Sequence, residues 1–386
     1  MSLTDISMLF EFIGGLGMFL YGMNLMADGL QKSAGGKVKN LLGYLTNNRL
    51  LAILVGTIIT AIIQSSSATT VMVVGFVNAG ILNLTQAVGV IMGANIGTTI
   101  TSWLVSMNEW GAALKPEFFA PLIVGVGAGL LMFAKKSSKR KAGEIFVGFG
   151  LLFIGLSFMS GAITPYRDAP IFSNAFTVLG RNPILGIIAG MVVTATIQSS
   201  SASVGILQTL AANGIVSWNS AIYITLGQNI GTCVTALISS AGANKTAKRA
   251  AVIHLLFNTF GAVFFGIVMF IFFFFNKEFA TSSINSVQIS IFHTIFNITC
   301  TVLMFPFANA LVRLSGKIIK EDEAIEDEEE TKLQLDKRML ETPSLAIEAA
   351  IMEIVNMGKI ATENAQRAIK AVLEKNSDDI EIVFDT

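Results

Sequence analysis

The sequence predicts an all-α polytopic membrane protein with an internal duplication and a charged tail. Three observations support this fold class. Of the 386 residues, 53% are hydrophobic and 13% are charged, whereas soluble domains carry about 25% charged residues. Two long segments, 50–108 and 182–244, contain no Asp, Glu, Lys or Arg. The motif Gln-Ser-Ser-Ser occurs once within each of these segments.

Seven apolar segments are long enough to cross a hydrocarbon core of about 30 Å, which takes about 20 helical residues. They lie at residues 6–26, 84–107, 118–134, 144–164, 221–241, 250–275 and 287–314. Segments 50–80 and 183–214 are also apolar, but Gln-Ser-Ser-Ser interrupts each of them near the middle. Each half is too short to span alone. Both segments are therefore predicted to be re-entrant hairpins, because irregular backbone at bilayer depth must line a cavity or be buried in protein.

The two hairpin segments are copies of one unit. Residues 56–101 align with residues 190–235 without a gap, and 18 of the 46 aligned positions are identical. The identities include Gln-Ser-Ser-Ser and a later Gly-x-Asn-Ile-Gly-Thr segment. The match continues upstream, where three glycines of the first span correspond to three of the fourth: Gly15, Gly17 and Gly22 to Gly148, Gly150 and Gly155. These matches define repeat one at about 6–107 and repeat two at about 144–241, with 118–134, 250–275 and 287–314 as extra spans.

Lys and Arg residues collect in three places, which the positive-inside rule assigns to the cytoplasm. The clusters comprise Lys32, Lys37 and Lys39, then residues 135–141, then residues 245–249. This assignment predicts an N-terminus outside and a C-terminus in the cytoplasm of a bacterial inner membrane. It also gives the repeats inverted topology. Inverted repeats with matching broken segments are typical of secondary transporters, and the alternative is a duplicated scaffold without a transport role.

Each Gln-Ser-Ser-Ser motif can supply ligands for both a cation and an anion. Its amide and hydroxyl groups donate and accept hydrogen bonds, and a helix break frees backbone carbonyl and N–H groups. Oxygen atoms suit a hard cation, whereas N–H groups at a helix N-terminus suit an anion. The candidate binding residues are Gln64, Ser65, Ser66 and Ser67 with Gln198, Ser199, Ser200 and Ser201.

The two Gly-x-Asn-Ile-Gly-Thr segments are expected to line the same cavity. Glycine pairs weaken a helix, and the neighbouring Asn and Thr side chains add oxygen ligands. The alternative is that the glycines serve tight helix packing. The candidate ligands here are Asn95, Thr98, Thr99, Asn229 and Thr232.

A further pair of motifs, His254-x-x-Phe257-Asn258 and His293-x-x-Phe296-Asn297, places His and Asn on one helix face. Hydrogen bonding between helices is favoured over a metal site or a proton relay. The sequence contains no ligand spacing for a transition metal, no nucleophile–base motif, no phosphate loop and no basic stripe for nucleic acid. Neither an enzyme nor a nucleic-acid-binding protein is therefore predicted.

Together, the paired Gln-Ser-Ser-Ser motifs and the Gly-x-Asn-Ile-Gly-Thr segment after each resemble the type II sodium–phosphate cotransporter family over about residues 10–315. The resemblance implies that both hairpins line a path through the lipid bilayer for inorganic phosphate, coupled to sodium ions by alternating access and without another cofactor. A passive anion channel and a phosphate-sensing membrane anchor acting through the tail are the alternatives. The resemblance leaves oligomeric state open.

Residues 320–386 are predicted to form a cytosolic tail. An acidic linker at 321–330 precedes a segment, 335–375, that reads as two amphipathic helices broken near Pro343. This segment resembles the start of a PhoU-like helical domain, and a solvated charged tail is the alternative.

The charge-free repeats also predict sodium dependence. Burying the phosphate anion without a compensating charge is costly, and hydroxyls with helix N-termini offset only part of that cost. Neither repeat offers Lys or Arg in segments 50–108 and 182–244, nor Asp or Glu for a proton relay, so His254 and His293 would be the only substitutes. Cations held by neutral oxygens are therefore expected to supply the balance.

Overall fold

The computed structural model describes residues 3–34, 48–110, 115–167, 169–320 and 343–374, together with positions 380, 382 and 383. Within these residues the chain forms α-helices and no β-strand. The helices are α1 Leu3–Ala34, α2 Arg49–Ile63, α3 Ser66–Asn78, α4 Leu84–Ser106, α5 Pro116–Phe133, α6 Ser137–Ile163, α7 Pro170–Arg181, α8 Pro183–Ile197, α9 Ser200–Ala212, α10 Trp218–Ser239, α11 Lys245–Phe275, α12 Lys277–Thr281, α13 Ser286–Met304, α14 Ala308–Ile318 and α15 Pro343–Glu374.

Seven of the described helices are long and apolar enough to cross a membrane, which confirms an all-α polytopic membrane protein. They are α1, α4, α5, α6, α10, α11 and α13, where short 3-10 turns extend α4 to Glu109 and α6 to Tyr166. All seven correspond to predicted spans.

The predicted span 287–314 is wrong in its second half. Helix α13 ends at Met304, and the separate helix α14 begins at Ala308. Pro306 lies in the break. Proline has no backbone N–H and its ring clashes with the preceding turn, so it ends or kinks a helix. An unbroken apolar count across Pro306 therefore overestimated the span.

Both apolar hairpin segments break at Gln-Ser-Ser-Ser, as predicted. Gln64 ends α2 and Gln198 ends α8, each with φ 56° and ψ 23°. This left-handed backbone is uncommon for a residue with a side chain. The next residue, Ser65 or Ser199, caps α3 or α9 by accepting a hydrogen bond from Ala68 N or Ala202 N. The two turns therefore share one backbone geometry.

Glycines let the helices around the hairpins approach closely. A Cβ at Gly97 would lie 2.6 Å from the Thr57 carbonyl oxygen of α2, and a Cβ at Gly231 would lie 2.6 Å from the Met191 carbonyl oxygen of α8. Helix α4 thus packs backbone to backbone on α2, and α10 packs in the same way on α8. Both helices continue through their Gly-x-Asn-Ile-Gly-Thr segments without a break. The glycines serve the close helix packing that the sequence left as an alternative.

Helices α1 and α6 pack through the glycines that the upstream duplication matches. A Cβ at Gly15 would lie 2.8 Å from the Gly155 carbonyl oxygen, and one at Gly22 would lie 2.6 Å from the Gly148 carbonyl oxygen. The order reverses along the second helix, so the two helices run antiparallel. Lys32 forms an ion pair with Glu144 at 2.9 Å, near the C-terminus of α1. Lys37 and Lys39, of the same predicted basic cluster, lie outside the described residues.

The C-terminal unit, Glu323–Thr386, contains helix α15. The helix begins at Pro343, which suits the first position of a helix because proline's missing N–H would be unpaired there. The acidic linker 321–330 and the first predicted tail helix, before Pro343, lie outside the described residues.

Candidate functional site

The two Gln-Ser-Ser-Ser turns meet inside the membrane-spanning unit. Ser66 Oγ lies 3.5 Å from Ser200 Oγ, and both side chains are buried. These serines occupy equivalent positions in the two repeats. Sequence segments 134 residues apart therefore form one local cluster.

A cavity of about 180 Å³ lies between the two turns, and we call it the Gln-Ser-Ser-Ser cavity. One water molecule needs roughly 10–15 Å³ of such volume, so the cavity has room for a small polyatomic ion. Seven of the eight predicted motif residues line it, and Ser66 lies at the contact between the turns. Helix α1 completes the lining with Met23, Asn24 and Ala27, next to Ile63 of α2.

The electrostatic character of the cavity comes from backbone and neutral side chains. None of its lining residues among the described part of the chain is charged. Helices α3 and α9 begin at the cavity with Ser66 and Ser200, and the first N–H groups of a helix have no intrahelical partner. Two helix N-termini carry partial positive charge. The hydroxyl and amide oxygens of the same turns are available to a cation, so the site can hold ions of both signs.

The two glutamines are held differently. Gln64 is 5% exposed. Its Oε1 accepts a hydrogen bond from Thr101 Oγ1 at 3.1 Å, and its Nε2 donates to the Ala61 carbonyl oxygen. Gln198 is exposed, and its side chain has no hydrogen-bond partner among the described residues. The counterpart of Thr101 is Thr235, whose buried hydroxyl also has no partner in the described chain.

Hydroxyl pairs join the two arms of each hairpin. Thr60 Oγ1 donates to Thr69 Oγ1 at 3.0 Å in repeat one, and Thr194 Oγ1 donates to Ser203 Oγ at 2.8 Å in repeat two. Both pairs are buried. In repeat two, Gln228 Nε2 also donates to Ser203 Oγ at 2.9 Å. These bonds hold the arms together and fix the position of each turn.

The candidate ligands of the Gly-x-Asn-Ile-Gly-Thr segments lie behind the hairpins and do not line the Gln-Ser-Ser-Ser cavity. Asn95 and Asn229 each donate through Nδ2 to a carbonyl oxygen one turn earlier, at 2.9 Å. Thr99 and Thr232 likewise bond to backbone carbonyls of their own helices. Thr98 Oγ1 is buried without a partner in the described residues. The structure therefore groups the turn residues and places this second set on the supporting helices.

The two buried histidines also differ. His293 Nε2 lies 3.4 Å from Asn229 Oδ1 on a neighbouring helix, which fits the expected hydrogen bond between helices. Neither ring nitrogen of His254 has a partner among the described residues. Within that part of the chain, no group of three His, Cys, Asp or Glu side chains could hold a metal ion.

The sequence did not reveal Gln208 as a site residue. It is 1% exposed on α9, and its Nε2 reaches groups on α4 and α13. Its counterpart in repeat one is Val74, so the duplication argued against it. The signal that could have found it is a lone amide in an apolar arm, which needs a buried partner.

The spans, the broken hairpins and the charge-free cavity define a multi-pass membrane protein of the transporter class. The chain belongs to the Na+/Pi-cotransporter family. The sequence model of that family matches residues 18–161 and 169–301, which together make up more than two thirds of the chain. Each matched stretch contains one Gln-Ser-Ser-Ser motif.

Individual relatives agree with this assignment. The chain is 27% identical over 386 residues to the "Putative inorganic phosphate export protein YjbB" of Salmonella typhimurium, covering 97% of this chain and 69% of the relative. It is 30% identical over 310 residues to the uncharacterized protein YqeW of Bacillus subtilis, covering 78% and 95%. It is 32% identical over 102 residues to sodium-dependent phosphate transport protein 2A of Rattus norvegicus, covering 26% and 16%. No solved structure matches.

Proposed function

We propose that this protein is a secondary active transporter that couples sodium ions to the movement of inorganic phosphate across the plasma membrane by alternating access. The observation that carries the proposal is the meeting of the two Gln-Ser-Ser-Ser turns in one charge-free cavity. Helix N-termini there favour an anion, and the surrounding oxygens favour a hard cation. The family and the sodium-dependent relative support phosphate and sodium as the transported species.

Sodium dependence follows from the missing charges. An anion in this cavity gains two partial charges from helix N-termini but no Lys or Arg side chain. A sodium ion bound beside it lowers the cost of burying the anion, so each ion raises the affinity for the other. The coupling free energy is reciprocal by thermodynamic linkage. Phosphate affinity is therefore expected to rise with sodium concentration.

Inverted topology of the repeats is the second part of the proposal. Equivalent serines touch at Ser66 and Ser200. The matched glycines of α1 and α6 contact one another in reversed order. Both contacts are what a two-fold axis in the membrane plane produces between inverted copies. With the N-terminus outside, α2–α3 and α8–α9 then enter as re-entrant hairpins from opposite faces.

We also assign residues 1–319 to the transport domain and residues 320–386 to a cytosolic tail, whose PhoU-like character rests on sequence resemblance. Cysteine labelling tests this orientation. Cys233 and Cys300 are buried, so a single cysteine at Ser138 or Glu117 gives a clear signal. Ser138→Cys is expected to react only from the cytoplasm and Glu117→Cys only from outside. Reaction of both from one face contradicts the inverted arrangement.

Phosphate uptake into proteoliposomes tests the function. Purified protein is reconstituted, and radiolabelled phosphate uptake is compared with an inward sodium gradient and with choline in place of sodium. Uptake against a phosphate concentration gradient is expected only with sodium. Equal rates in choline, or flux that only follows the phosphate gradient, would favour the anion channel instead.

A further inference from the structure

A second cavity, of about 390 Å³, lies near the C-terminal end of α9, and we call it the Gln208 cavity. Unlike the Gln-Ser-Ser-Ser cavity, it is lined by charged groups. The residues that matter here are Asn108, Glu109, Lys115, Glu117, Ser157 and Gln208. The cavity therefore contains two carboxylates and one ammonium group.

The amide of Gln208 has a fixed orientation. Its Nε2 lies 3.1 Å from the Ser102 carbonyl oxygen, 3.0 Å from the Ser286 carbonyl oxygen and 2.8 Å from Ser290 Oγ. Backbone carbonyl oxygens only accept hydrogen bonds, so the nitrogen must face them. Oε1 must then face away, and this buried atom has no partner in the described chain. A buried acceptor without a donor is costly, and a bound cation would satisfy it.

Two neighbouring side chains add oxygen atoms to the same cavity. Asn108 Oδ1 is a second buried acceptor without a partner among the described residues. Glu109 Oε2 accepts hydrogen bonds from Ser286 N at 3.0 Å and Val287 N at 3.4 Å, which anchors the carboxylate at the start of α13. Glu117 is occupied differently, because its carboxylate bonds to the Ser157 hydroxyl.

We propose that the Gln208 cavity is a binding site for a sodium-sized monovalent cation, with Gln208 Oε1, Asn108 Oδ1 and the Glu109 carboxylate as ligands. Carbonyl and carboxylate oxygens are the ligands of hard cations. A single carboxylate and two neutral oxygens favour one positive charge. The choice of sodium rests on the proposed function, whereas the site itself does not.

This site is separate from the Gln-Ser-Ser-Ser cavity and is not duplicated. At the repeat offset, Gln208, Asn108 and Glu109 correspond to Val74, Gly242 and Ala243, which offer no side-chain oxygen. Along α9, Gly205 lies between the two cavities and packs on the ring of Phe19, which is 0% exposed. An apolar layer thus divides them. The Gln208 cavity would hold its cation on one side of the membrane only.

Direct sodium titration of the purified full chain tests the proposal. Trp110 adjoins Glu109 in sequence, and its ring centroid lies 6.4 Å from that of Trp103. In a Trp218→Phe background the indole fluorescence reports only these two residues. Sodium chloride is titrated against choline chloride at constant ionic strength. Gln64→Ala and Gln198→Ala are included to remove the motif glutamines.

Asn108→Leu and Glu109→Gln are each expected to raise the half-saturating sodium concentration by about tenfold or more, because each removes a ligand or its charge. Glu117→Gln removes a charge from the same cavity without removing a proposed ligand, and should change that concentration by less than about threefold. Glu109→Gln keeps an acceptor at the start of α13, and unchanged thermal unfolding verifies its fold.

Three results decide the outcome. Wild-type sodium saturation in both Asn108→Leu and Glu109→Gln overturns the site, even if phosphate uptake proves sodium-dependent. Equal losses in Glu109→Gln and Glu117→Gln overturn specific ligation, because they would reflect general electrostatics. Selective loss in the two ligand variants supports the site, and it would do so even if phosphate uptake proved independent of sodium, in which case only the proposed function fails.

Discussion

The two Gln-Ser-Ser-Ser turns share a backbone and differ in how their side chains are held. Both glutamines have φ 56° and ψ 23°, and both turns are capped by the following serine. Yet Gln64 is buried and bonded to Thr101, whereas Gln198 is exposed and lacks a partner among the described residues. Duplication therefore conserves the helix break, and the surrounding helices decide which glutamine is free to bind a ligand.

The shared scaffold is expected to give the largest effects, equally in both repeats. Gly93→Ala and Gly227→Ala would each drive a Cβ into a backbone carbonyl, of Ile53 or Ile187. Neither backbone can yield without separating its helix pair, so both variants should lose most folded protein. Size-exclusion chromatography and thermal unfolding measure this loss.

Gly125→Ala is the matched control, because nothing lies within 4 Å of its added Cβ. It should remain folded. A folded Gly227→Ala beside an unfolded Gly93→Ala would show that the two scaffolds are not equivalent.

Removing the glutamines should separate binding from stability. Gln64→Ala and Gln198→Ala are both expected to abolish phosphate transport, because each removes oxygen and N–H groups from the cavity. Only Gln64→Ala should also destabilise the fold, by about 1–3 kcal/mol, since it leaves the buried Thr101 hydroxyl without its partner. Transport assays paired with denaturation curves measure both quantities. Equal stability losses would contradict the asymmetry.

The smallest expected difference comes from the two threonines that face the glutamines. Thr101→Val removes the bond to Gln64 and should cost about 1 kcal/mol of stability. Thr235→Val removes a buried hydroxyl that has no partner in the described residues, so it should be neutral or slightly stabilising. Thermal unfolding of the two variants side by side checks the sign.

The sequence predicted the features that depend on local pattern. A polar motif inside an apolar run was enough to predict the helix breaks at Gln64 and Gln198, and the repeat offset was enough to relate Ser66 to Ser200. The different environments of the two glutamines could not be predicted, because their flanking sequences are nearly identical. Exposure depends on distant helices.

Other features were missed for reasons that are also physical. Gln208 lies in an apolar arm, and its partners come from two helices far away in sequence. The glycines of Gly-x-Asn-Ile-Gly-Thr carry no mark that separates cavity lining from packing, and only the positions of Thr57 and Met191 decide between these roles. The end of α13 could have been predicted from Pro306, which was weighed too lightly against the apolar count.

The contact between Ser66 and Ser200 also bears on biosynthesis. The ribosome completes the first turn before it has made the second, which lies 134 residues later. At about 5–20 residues per second, that interval lasts on the order of 10 s. During it, the nascent first hairpin holds a polar turn that has no partner from the second repeat. Insertion machinery or early helix neighbours must shelter that turn until the second repeat arrives.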